Sequence, residues 1–265
     1  MKNTIAFGIL LVLLLPGCFT SRTIVWVATD GTGTVEQTVV YGNQKFSLSM
    51  DSTTNDVNSR DSKKPDFDEM ASDMGPGVRF VSEEEITKEN GHGYKALFRF
   101  DDISKLKLSM WPSEKSKSDS GSFSISAPVN KDDKVTFEFA PGSPATLILT
   151  MPPPKEQKKE GEKKKKQSKE EQQMSLMAMK MFLEGLKIYT AIEVQGTIVE
   201  SDATFKSSYS VVLADIDFDK LMSDEKGFNK LTQAETASVE EQKKIMKKVP
   251  GIKVELNPRV TIKFK

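Results

Sequence analysis

Few side chains in this chain could perform chemistry by themselves. Among the 265 residues there are one cysteine and one histidine. A zinc site built from thiolate and imidazole ligands needs more of both, and a catalytic triad needs a histidine held by a carboxylate. His92 stands in Asn90-Gly91-His92-Gly93, where the two glycines indicate a solvent-exposed turn. We therefore expect no metal cofactor, no triad and no enzymatic activity.

Three carboxylates with alternating spacing, Asp215, Asp217 and Asp219, are the strongest candidates for a metal site. On a strand, all three would lie on one face, where their oxygens could bind Mg²⁺ or Ca²⁺. No calcium-loop spacing with a central glycine and a distal glutamate accompanies them. We favour the simpler interpretation, in which they face solvent and Asp219 caps the turn at Lys220-Leu221. A hydrolase with paired carboxylates is the least favoured alternative, because nothing in the sequence selects a pair.

Cys18, the single cysteine, ends the sequence Leu15-Pro16-Gly17-Cys18. Lys2 provides a positive start, and Ile5 to Leu15 provide an apolar stretch too short for a membrane span of about 20 residues. Together with the small residue before the cysteine, this pattern is typical of a removable export signal. It resembles the lipobox of bacterial lipoproteins, with Pro16 in place of the more common Ala or Ser.

The lipobox resemblance implies a signal peptide over residues 1–17 and a mature protein that begins at Cys18. The Cys18 thiol would carry a thioether-linked diacylglycerol, and two or more acyl chains hold a protein stably on a bilayer. The implied partner is a membrane, reached through this N-terminal lipid anchor. Because Phe19 rather than Asp follows the cysteine, the resemblance implies the periplasmic side of the outer membrane in a host with two membranes. With one membrane, it implies the outer face of the plasma membrane.

Charge and composition limit the other partners. The chain has 38 basic and 38 acidic side chains, and removal of Lys2 with the signal leaves a net charge of about −1. Such a chain has no strong positive field overall, so we expect no nucleic-acid partner. With Cys18 acylated, no cysteine remains for a disulfide, and the fold must depend on its apolar core.

Alternating apolar and polar residues predict a mainly antiparallel sheet. The first hairpin is predicted from Arg22–Thr29 and Thr34–Tyr41 around the turn Asp30-Gly31-Thr32-Gly33. A short helix is predicted after Pro65 and ends at Gly75-Pro76-Gly77. Further strands are predicted over residues 78–87, 94–100, 123–127, 134–139, 145–151, 192–199, 209–218 and 260–264.

A Lys/Glu-rich tract over residues 152–173 divides the chain into an N-terminal region, 18–151, and a C-terminal region, 174–265. The tract has too few apolar residues to order itself, so we interpret it as a linker or a loop insertion. The next stretch, Met174 to about Ile188, is predicted to be a helix that is apolar over a wide arc. Such a helix is either covered on more than one side or lines an apolar cavity. Its predicted lipid-contacting residues are Leu176, Met177, Met181, Phe182 and Leu186.

The two regions share a short repeated pattern. A closing Asp-x-x-Lys-Leu appears as Asp102-Ile103-Ser104-Lys105-Leu106 and again as Asp217-Phe218-Asp219-Lys220-Leu221. Two related halves would explain the repeat, and so would the chance recurrence of aspartate-capped turns. Ser238 and Glu241 form a capping-box pattern that predicts a helix over Ser238–Val249. We therefore predict an α+β fold of mainly antiparallel sheet with helices packed on one face; whether it consists of two related halves stays open.

In the C-terminal region, a strand with a glycine between two apolar residues is followed by a small polar turn and a second strand. The residues concerned, together with the first hairpin turn, are Ile192, Gly196, Ile198, Ser201-Asp202-Ala203, Ser210-Val211-Val212-Leu213 and Asp30-Gly31-Thr32-Gly33. This arrangement is similar to that of the secreted part of LppM-type bacterial lipoproteins, although the chain lacks the tryptophan that those relatives often have near the end of the second strand. The resemblance implies an α+β envelope lipoprotein that contacts lipid or glycolipid, without catalytic residues.

These features predict a membrane-anchored envelope lipoprotein with a non-enzymatic binding or structural role. Its partner would be an envelope protein or a lipid. The alternative is a lipid or glycolipid binder whose apolar cavity is lined by the helix 174–188. A carboxylate-dependent hydrolase ranks third.

Overall fold

The first described segment folds as a β-hairpin, as predicted. β1 (Phe19–Val27) pairs antiparallel with β2 (Gly33–Gly42). In the turn between them, the Asp30 carboxylate accepts a hydrogen bond from the Thr32 N–H at 2.9 Å, the local bond that favours aspartate in tight turns. The computed structural model describes residues 19–42, 65–88, 91–110, 134–152, 183–233 and 238–265.

A short helix, α1 (Phe67–Met74), follows where the sequence predicts it. Its N-cap is Asp66, whose side chain accepts a hydrogen bond from the Glu69 N–H at 3.0 Å. The helix ends at Gly75, which has a φ of 124°. A Cβ added to Gly75 would lie 2.2 Å from the Lys105 carbonyl oxygen. Glycine is therefore required here by its positive φ and by the close approach of another backbone segment.

β3 (Arg79–Lys88) and β4 (Gly91–Phe100) form a second antiparallel hairpin, which confirms two more predicted strands. Residues 89 and 90 of the connecting turn lie outside the described residues. After β4, the chain makes a 3-10 turn (Ile103–Lys105) that begins at Asp102.

The strands of a second sheet begin after this turn. β5 (Lys107–Ser109), β6 (Lys134–Ala140) and β7 (Ala145–Thr150) pair as an antiparallel meander. β6 and β7 are confirmed predictions, whereas β5 is too short for its residues to show a period. The predicted strand over 123–127 lies outside the described residues, as does the Lys/Glu-rich tract beyond residue 152.

β8 (Lys187–Val194) begins earlier than the sequence predicts. The helix predicted from Met174 to about Ile188 is therefore wrong in its last residues. Tyr189 and Thr190, with isoleucines nearby, favour a strand because aromatic and β-branched side chains fit a pleated surface. Pairing with strands on both sides of β8 then determines the outcome.

A glycine turn separates β8 from β9 (Ile198–Ser201). The prediction of one strand over 192–199 is therefore wrong, because the chain passes at Gly196 from one sheet to the other. Gly196 has a φ of 105°, and an added Cβ would lie 2.3 Å from the Lys265 carbonyl oxygen. Glycine is therefore required at position 196 by its positive φ and by the close approach of the Lys265 backbone.

Short helices follow β10 (Ser210–Asp217). The first, α2 (Phe218–Ser223), begins directly after the strand, and α3 (Glu225–Gln233) follows it. The sequence predicts an aspartate-capped turn at this point but not two helices. Their brevity is the physical reason, since helices of six and nine residues show little helical periodicity.

The last helix, α4 (Val239–Met246), confirms a sequence prediction. Ser238 and Glu241 form the expected capping box, with the Ser238 N–H donating to the Glu241 carboxylate at 3.2 Å. Two strands complete the chain, β11 (Ile252–Val254) and β12 (Arg259–Phe264). Of these, β12 was expected from its alternation, and β11 was not.

The strands form two sheets. The order is β11-β10-β8-β1-β2-β4-β3 in the seven-stranded sheet and β5-β6-β7-β12-β9 in the five-stranded sheet. Among the described strands, the pair β1–β8 is parallel and the other pairs are antiparallel. Strands from before and after the Lys/Glu-rich tract pair with each other in both sheets, as β1 with β8 and β7 with β12. The two regions of the chain are therefore interleaved.

One apolar core joins the two sheets. Along β1, Val25 and Val27 point into this core, whereas Arg22 and Trp26 are exposed on the opposite, outer face of the seven-stranded sheet. The largest side chains that are fully buried come from both sheets: Phe98, Phe100, Ile192, Leu213, Leu147, Leu149, Ile262 and Phe264. Burying each such side chain contributes about 1.5–3 kcal/mol.

The described residues are mostly β, in two sheets dominated by antiparallel pairs, with a few short helices. This agrees with the predicted α+β class and its mainly antiparallel sheet. The two Asp-x-x-Lys-Leu segments follow β4 and β10 and begin helical turns in both places.

Candidate functional site

Three strands of the seven-stranded sheet meet at the end where β1 begins. β1 and β8 run parallel, with Thr20 opposite Lys187, and Lys187 is also opposite Asp217 at the end of β10. The start of β1 therefore lies at the same end of the sheet as the start of α2. We call this the Phe19 end. The other end, where β1 runs into the first hairpin turn, is called the Asp30 end.

Aromatic side chains form a row across the strands at the Phe19 end. The ring centres of Phe19 and Tyr41 are 5.6 Å apart, and those of Tyr41 and His92 are 5.8 Å apart. His92 lies in β4 rather than in a turn, and its side chain is exposed. The row therefore begins at Phe19, the first described residue, and its rings are partly or fully exposed.

Asp217 connects β10 to α2. Its carboxylate caps the helix by accepting a hydrogen bond from the Lys220 N–H at 3.2 Å. It also forms ion pairs with the ammonium groups of Lys187 at 3.4 Å and Lys220 at 3.1 Å. Burial alone would raise the pKa of Asp217, but the hydrogen bonds from Lys220 and the two positive charges lower it below its ordinary value.

The other two carboxylates of the alternating set have partners of their own. Asp219 lies in α2, not on a strand, and accepts a hydrogen bond from the Gly185 N–H at 2.7 Å. The prediction that Asp219 caps this turn is therefore wrong, because the cap is Asp217. Asp215 accepts a hydrogen bond from the Lys253 ammonium group at 2.9 Å. The three carboxylates do not converge, and no group of three metal-ligating side chains occurs within the described ranges.

The connection from α4 to β11 passes over the end of β10. The Asp217 N–H donates to the Gly251 carbonyl oxygen at 2.8 Å. Gly251 has a φ of 79°, and an added Cβ would lie 2.5 Å from the Asp217 carbonyl oxygen. Glycine thus allows this connection to pack against β10, and it brings the C-terminal end of α4 to the Phe19 end.

This packing leaves a cleft of about 410 Å³ between β10, β11 and the α4–β11 connection. Four lysines and two aspartates contribute to its described lining, and we call it the lysine cleft. Both aspartates are already paired with lysines of the site. Neither Lys247 nor Lys248 forms an ion pair within the described part of the chain. The lining consists of Phe205, Asp215, Asp217, Lys220, Met246, Lys247, Lys248, Val249, Pro250, Gly251, Ile252 and Lys253.

A row of polar side chains continues from the lysine cleft across the outer face. Lys253, Asp215, Tyr189 and Arg22 are successive cross-strand neighbours on β11, β10, β8 and β1. The Arg22 guanidinium lies 5.5 Å from the centre of the Tyr189 ring, a cation–π contact. Burial raises the pKa of Tyr189, and the negative charge of Glu193 raises it further.

Ion pairs extend this outer face towards β4. The Glu36 carboxylate lies 3.5 Å from the Arg22 guanidinium and 2.8 Å from the Lys95 ammonium group. The hydrogen bond to Glu36 raises the pKa of Lys95. Trp26 on the same face is 44% exposed. Along Arg22, Glu36 and Lys95 the outer face thus carries charged side chains, with the exposed ring of Trp26 beside them.

The predicted site residues have different outcomes. Cys18 lies outside the described residues, and so do Leu176, Met177, Met181 and Phe182. Leu186 is described, and it is only 3% exposed. It packs with Ile188 and Ile216 in a small second apolar cluster that also touches Phe19 and Leu183. Its side chain is therefore part of the packed interior at the Phe19 end.

The lysine cleft is absent from the sequence predictions. Lys247 and Lys248 follow a helix with a predicted capping box, and they precede a Val-Pro-Gly turn. That local signal places two positive side chains at a helix end, but it does not show what lies opposite them. The opposite wall comes from the pairing of β11 with β10, which depends on contacts between residues distant in sequence.

None of the described helices is long and apolar enough to cross a membrane. Comparison of the chain with protein-family models, with curated proteins and with solved structures finds no match in any of the three.

Proposed function

We propose that this chain is a membrane-anchored bacterial envelope lipoprotein with a non-enzymatic binding or structural role. The observation that carries the proposal is the position of β1, which begins at Phe19, immediately after Cys18. An extended chain gains only about 3.3 Å per residue. An acylated Cys18 would therefore hold the Phe19 end against the bilayer surface.

The carboxylates of the described residues support a binding role over hydrolysis. A glycosidase acid needs a raised pKa, and its partner carboxylate must be free to act. The resolved shifts of Asp30, Asp217 and Glu240 are all downward, because hydrogen bonds stabilise their charged forms. Glu255, which is 3% exposed, accepts hydrogen bonds from Thr204 and from the Asn257 N–H. These hydrogen bonds support a structural role for the four carboxylates.

A lipid or glycolipid binder is the second candidate. Leu183 and Leu186 pack against the second apolar cluster, so the end of the apolar stretch reaches the neighbourhood of Phe19. This supports a lipid-facing role for the residues that precede it, with Leu176, Met177, Met181 and Phe182 as the proposed contacts. Native mass spectrometry of the full chain should then show retained lipid that Phe182→Asp removes, and ligand-free protein in every preparation would reject this candidate.

The finer architecture is also a proposal. Two halves of common origin, with helices packed on one face, would account for the shared Asp-x-x-Lys-Leu segments. Support comes from their similar position, since Asp102 caps a 3-10 turn after β4 and Asp217 caps an α-helix after β10. We also propose that the chain belongs to the LppM-type family, on the pattern of Ile192, Gly196 and Ile198 and the polar turn that follows it.

The anchor is tested by Cys18→Ser in the native host. The unmodified chain should fractionate with membranes and incorporate labelled palmitate, and the variant should do neither. Ser21→Ala, three residues later in β1, is the control for changes near the processing site and should behave as the unmodified chain. If the Cys18→Ser protein stays with the membranes to the same extent, the lipid-anchor proposal is wrong.

A further inference from the structure

We propose that the lysine cleft binds the phosphate group of an anionic phospholipid in the same bilayer that holds the anchor. The inference rests on the proposed function for the orientation of the protein, since acylation of Cys18 would bring the Phe19 end to the membrane. The cleft itself is a property of the fold. It would give the protein a second, charge-selective contact beside the lipid chain.

The lysine cleft lies at the same end of the sheet as the start of β1. Thr20 on β1, Lys187 on β8 and Asp217 on β10 are aligned across the sheet, and Asp217 is bonded to Gly251 in the wall of the cleft. Three strand spacings of about 4.8 Å separate β1 from β11, which places the cleft about 14 Å from the start of β1. This offset is parallel to the end of the sheet, so the cleft and Phe19 would meet a flat bilayer at a similar height.

The described lining of the cleft carries more positive than negative side chains. Asp215 and Asp217 each have a lysine partner within the lining, which leaves Lys247 and Lys248 as the surplus positive charge of the described cleft. Lysine ammonium groups are donors without acceptors and bind phosphate as compact point charges. A phosphodiester has the opposite charge and offers only acceptors. Each lysine close to an anionic membrane surface contributes attraction that falls off within a Debye length.

The surroundings of the lysines fit a lipid headgroup. Met246, Val249 and Ile252 give the cleft an apolar wall next to its charges, as a glycerol backbone beside a phosphate would require. Its volume of about 410 Å³ is within the range typical of small-molecule sites. Phe19 and Tyr41 provide aromatic rings at the same end, and such rings prefer the depth of lipid headgroups.

The experiment uses the full chain in a neutral detergent. Short-chain phosphatidylglycerol or phosphatidylcholine is added below its micellar concentration, and bound lipid is counted by native mass spectrometry. We expect phosphatidylglycerol to bind and phosphatidylcholine to bind at least about tenfold more weakly. The double variant Lys247→Gln/Lys248→Gln should weaken phosphatidylglycerol binding about thirtyfold, which is about fivefold for each lysine at an anionic surface. Its melting temperature should not change, because both side chains are exposed.

Lys105→Gln/Lys107→Gln is the matched control, since it removes two exposed lysine charges outside the cleft. Equal binding of the two lipids, or an equal loss in the control, would overturn the proposal. Inorganic phosphate is the competitor that separates the two sources of the anion. If it displaces phosphatidylglycerol at equal concentration, the cleft binds free phosphate and the headgroup assignment is wrong.

The two proposals fail separately. A Cys18→Ser chain that still prefers phosphatidylglycerol in detergent supports the cleft whatever its fractionation in cells. A chain that is acylated and membrane-bound but shows no lipid preference keeps the anchor and rejects the cleft.

Discussion

The two ends of the seven-stranded sheet carry the same five-residue pattern in different surroundings. At the Asp30 end, Asp102 accepts a hydrogen bond from the Ser104 N–H at 3.0 Å and pairs with Lys105 at 3.5 Å. At the Phe19 end, Asp217 accepts from the Lys220 N–H at 3.2 Å and pairs with its ammonium group at 3.1 Å. In both copies the closing leucine is buried. The pattern thus gives an aspartate cap and a buried leucine in both places, but a 3-10 turn after Asp102 and an α-helix after Asp217.

The environments of the two aspartates differ in burial and charge. The side chain of Asp102 is 42% exposed, whereas that of Asp217 is 12% exposed and has Lys187 as an additional partner. Near Asp102, the two guanidinium groups of Arg79 and Arg99 share one carboxylate, that of Asp101. The lysine cleft beside Asp217 has lysines in excess of its described carboxylates. A local motif therefore determines where a capped turn begins, and its surroundings determine how deeply its aspartate is buried and which charges the aspartate meets.

The largest expected effect tests the Asp30 end as a structural region. Phe100 is 1% exposed in the core, so Phe100→Ala should destabilise the protein by about 3–5 kcal/mol through the cavity it leaves. Urea unfolding followed by circular dichroism measures this loss. Tyr41→Ala at the Phe19 end, where the ring is half-buried, is the matched comparison and should cost clearly less. Equal losses of stability in the two variants would contradict the idea that the Asp30 end contributes more to stability than the Phe19 end.

A smaller effect compares the two caps directly. Asp217→Ala should cost about 1–2 kcal/mol, because it removes an N-cap together with two ion pairs that are partly shielded from water. Asp102→Ala should cost about 0.5–1 kcal/mol, because its charge interactions are more exposed to solvent. Asp217→Asn, which retains an N-cap, separates the two contributions. The free energy of unfolding of each variant is the measurement, and a larger loss for Asp102→Ala would contradict the comparison.

The pH dependence of stability gives a third test of the Phe19 end. The pKa of Asp217 is lowered in the folded protein, so the unfolded chain binds the proton more readily. The stabilisation is present above the unfolded pKa, near 4, and is lost as the pH falls through the folded pKa. Between pH 6 and pH 3, Asp217→Asn should lose less stability than the unmodified chain. An unchanged slope in the variant would show that Asp217 does not contribute.

The smallest expected effect concerns the surface between the two ends. Because burial and Glu193 raise the pKa of Tyr189, this phenol should ionise above the usual value of about 10 in an absorbance titration. Glu193→Gln should lower its pKa, since it removes a negative charge that opposes ionisation. Tyr189→Phe identifies the signal among the other tyrosines. A titration that Glu193→Gln leaves unchanged would mean that the carboxylate does not influence the ring.

Local signals in the sequence predict most of the strands and the caps. Asp66 and the capping box of Ser238 with Glu241 have the bonds that their residue types favour, and the hairpin of β1 with β2 has the turn that its Asp-Gly sequence favours. The prediction is wrong where tertiary pairing overrides an apolar pattern, as at the start of β8. The lysine cleft is not predictable in this way, because its walls meet only when β10 and β11 pair. The sequence shows the adjacent lysines Lys247 and Lys248, but it does not show that β10 and β11 form the opposite wall of the cleft.

The parallel pair at the centre of the larger sheet has a consequence for the order of folding. β1 is among the first strands to be synthesised, but its neighbour β8 starts only at Lys187. At ordinary rates of translation, β1 waits on the order of 10 s for that partner. Until then, one side of the new hairpin exposes unpaired backbone groups, which are a template for wrong pairing with other chains. A strand near the start of the chain therefore obtains its parallel partner only after most of the chain has been made.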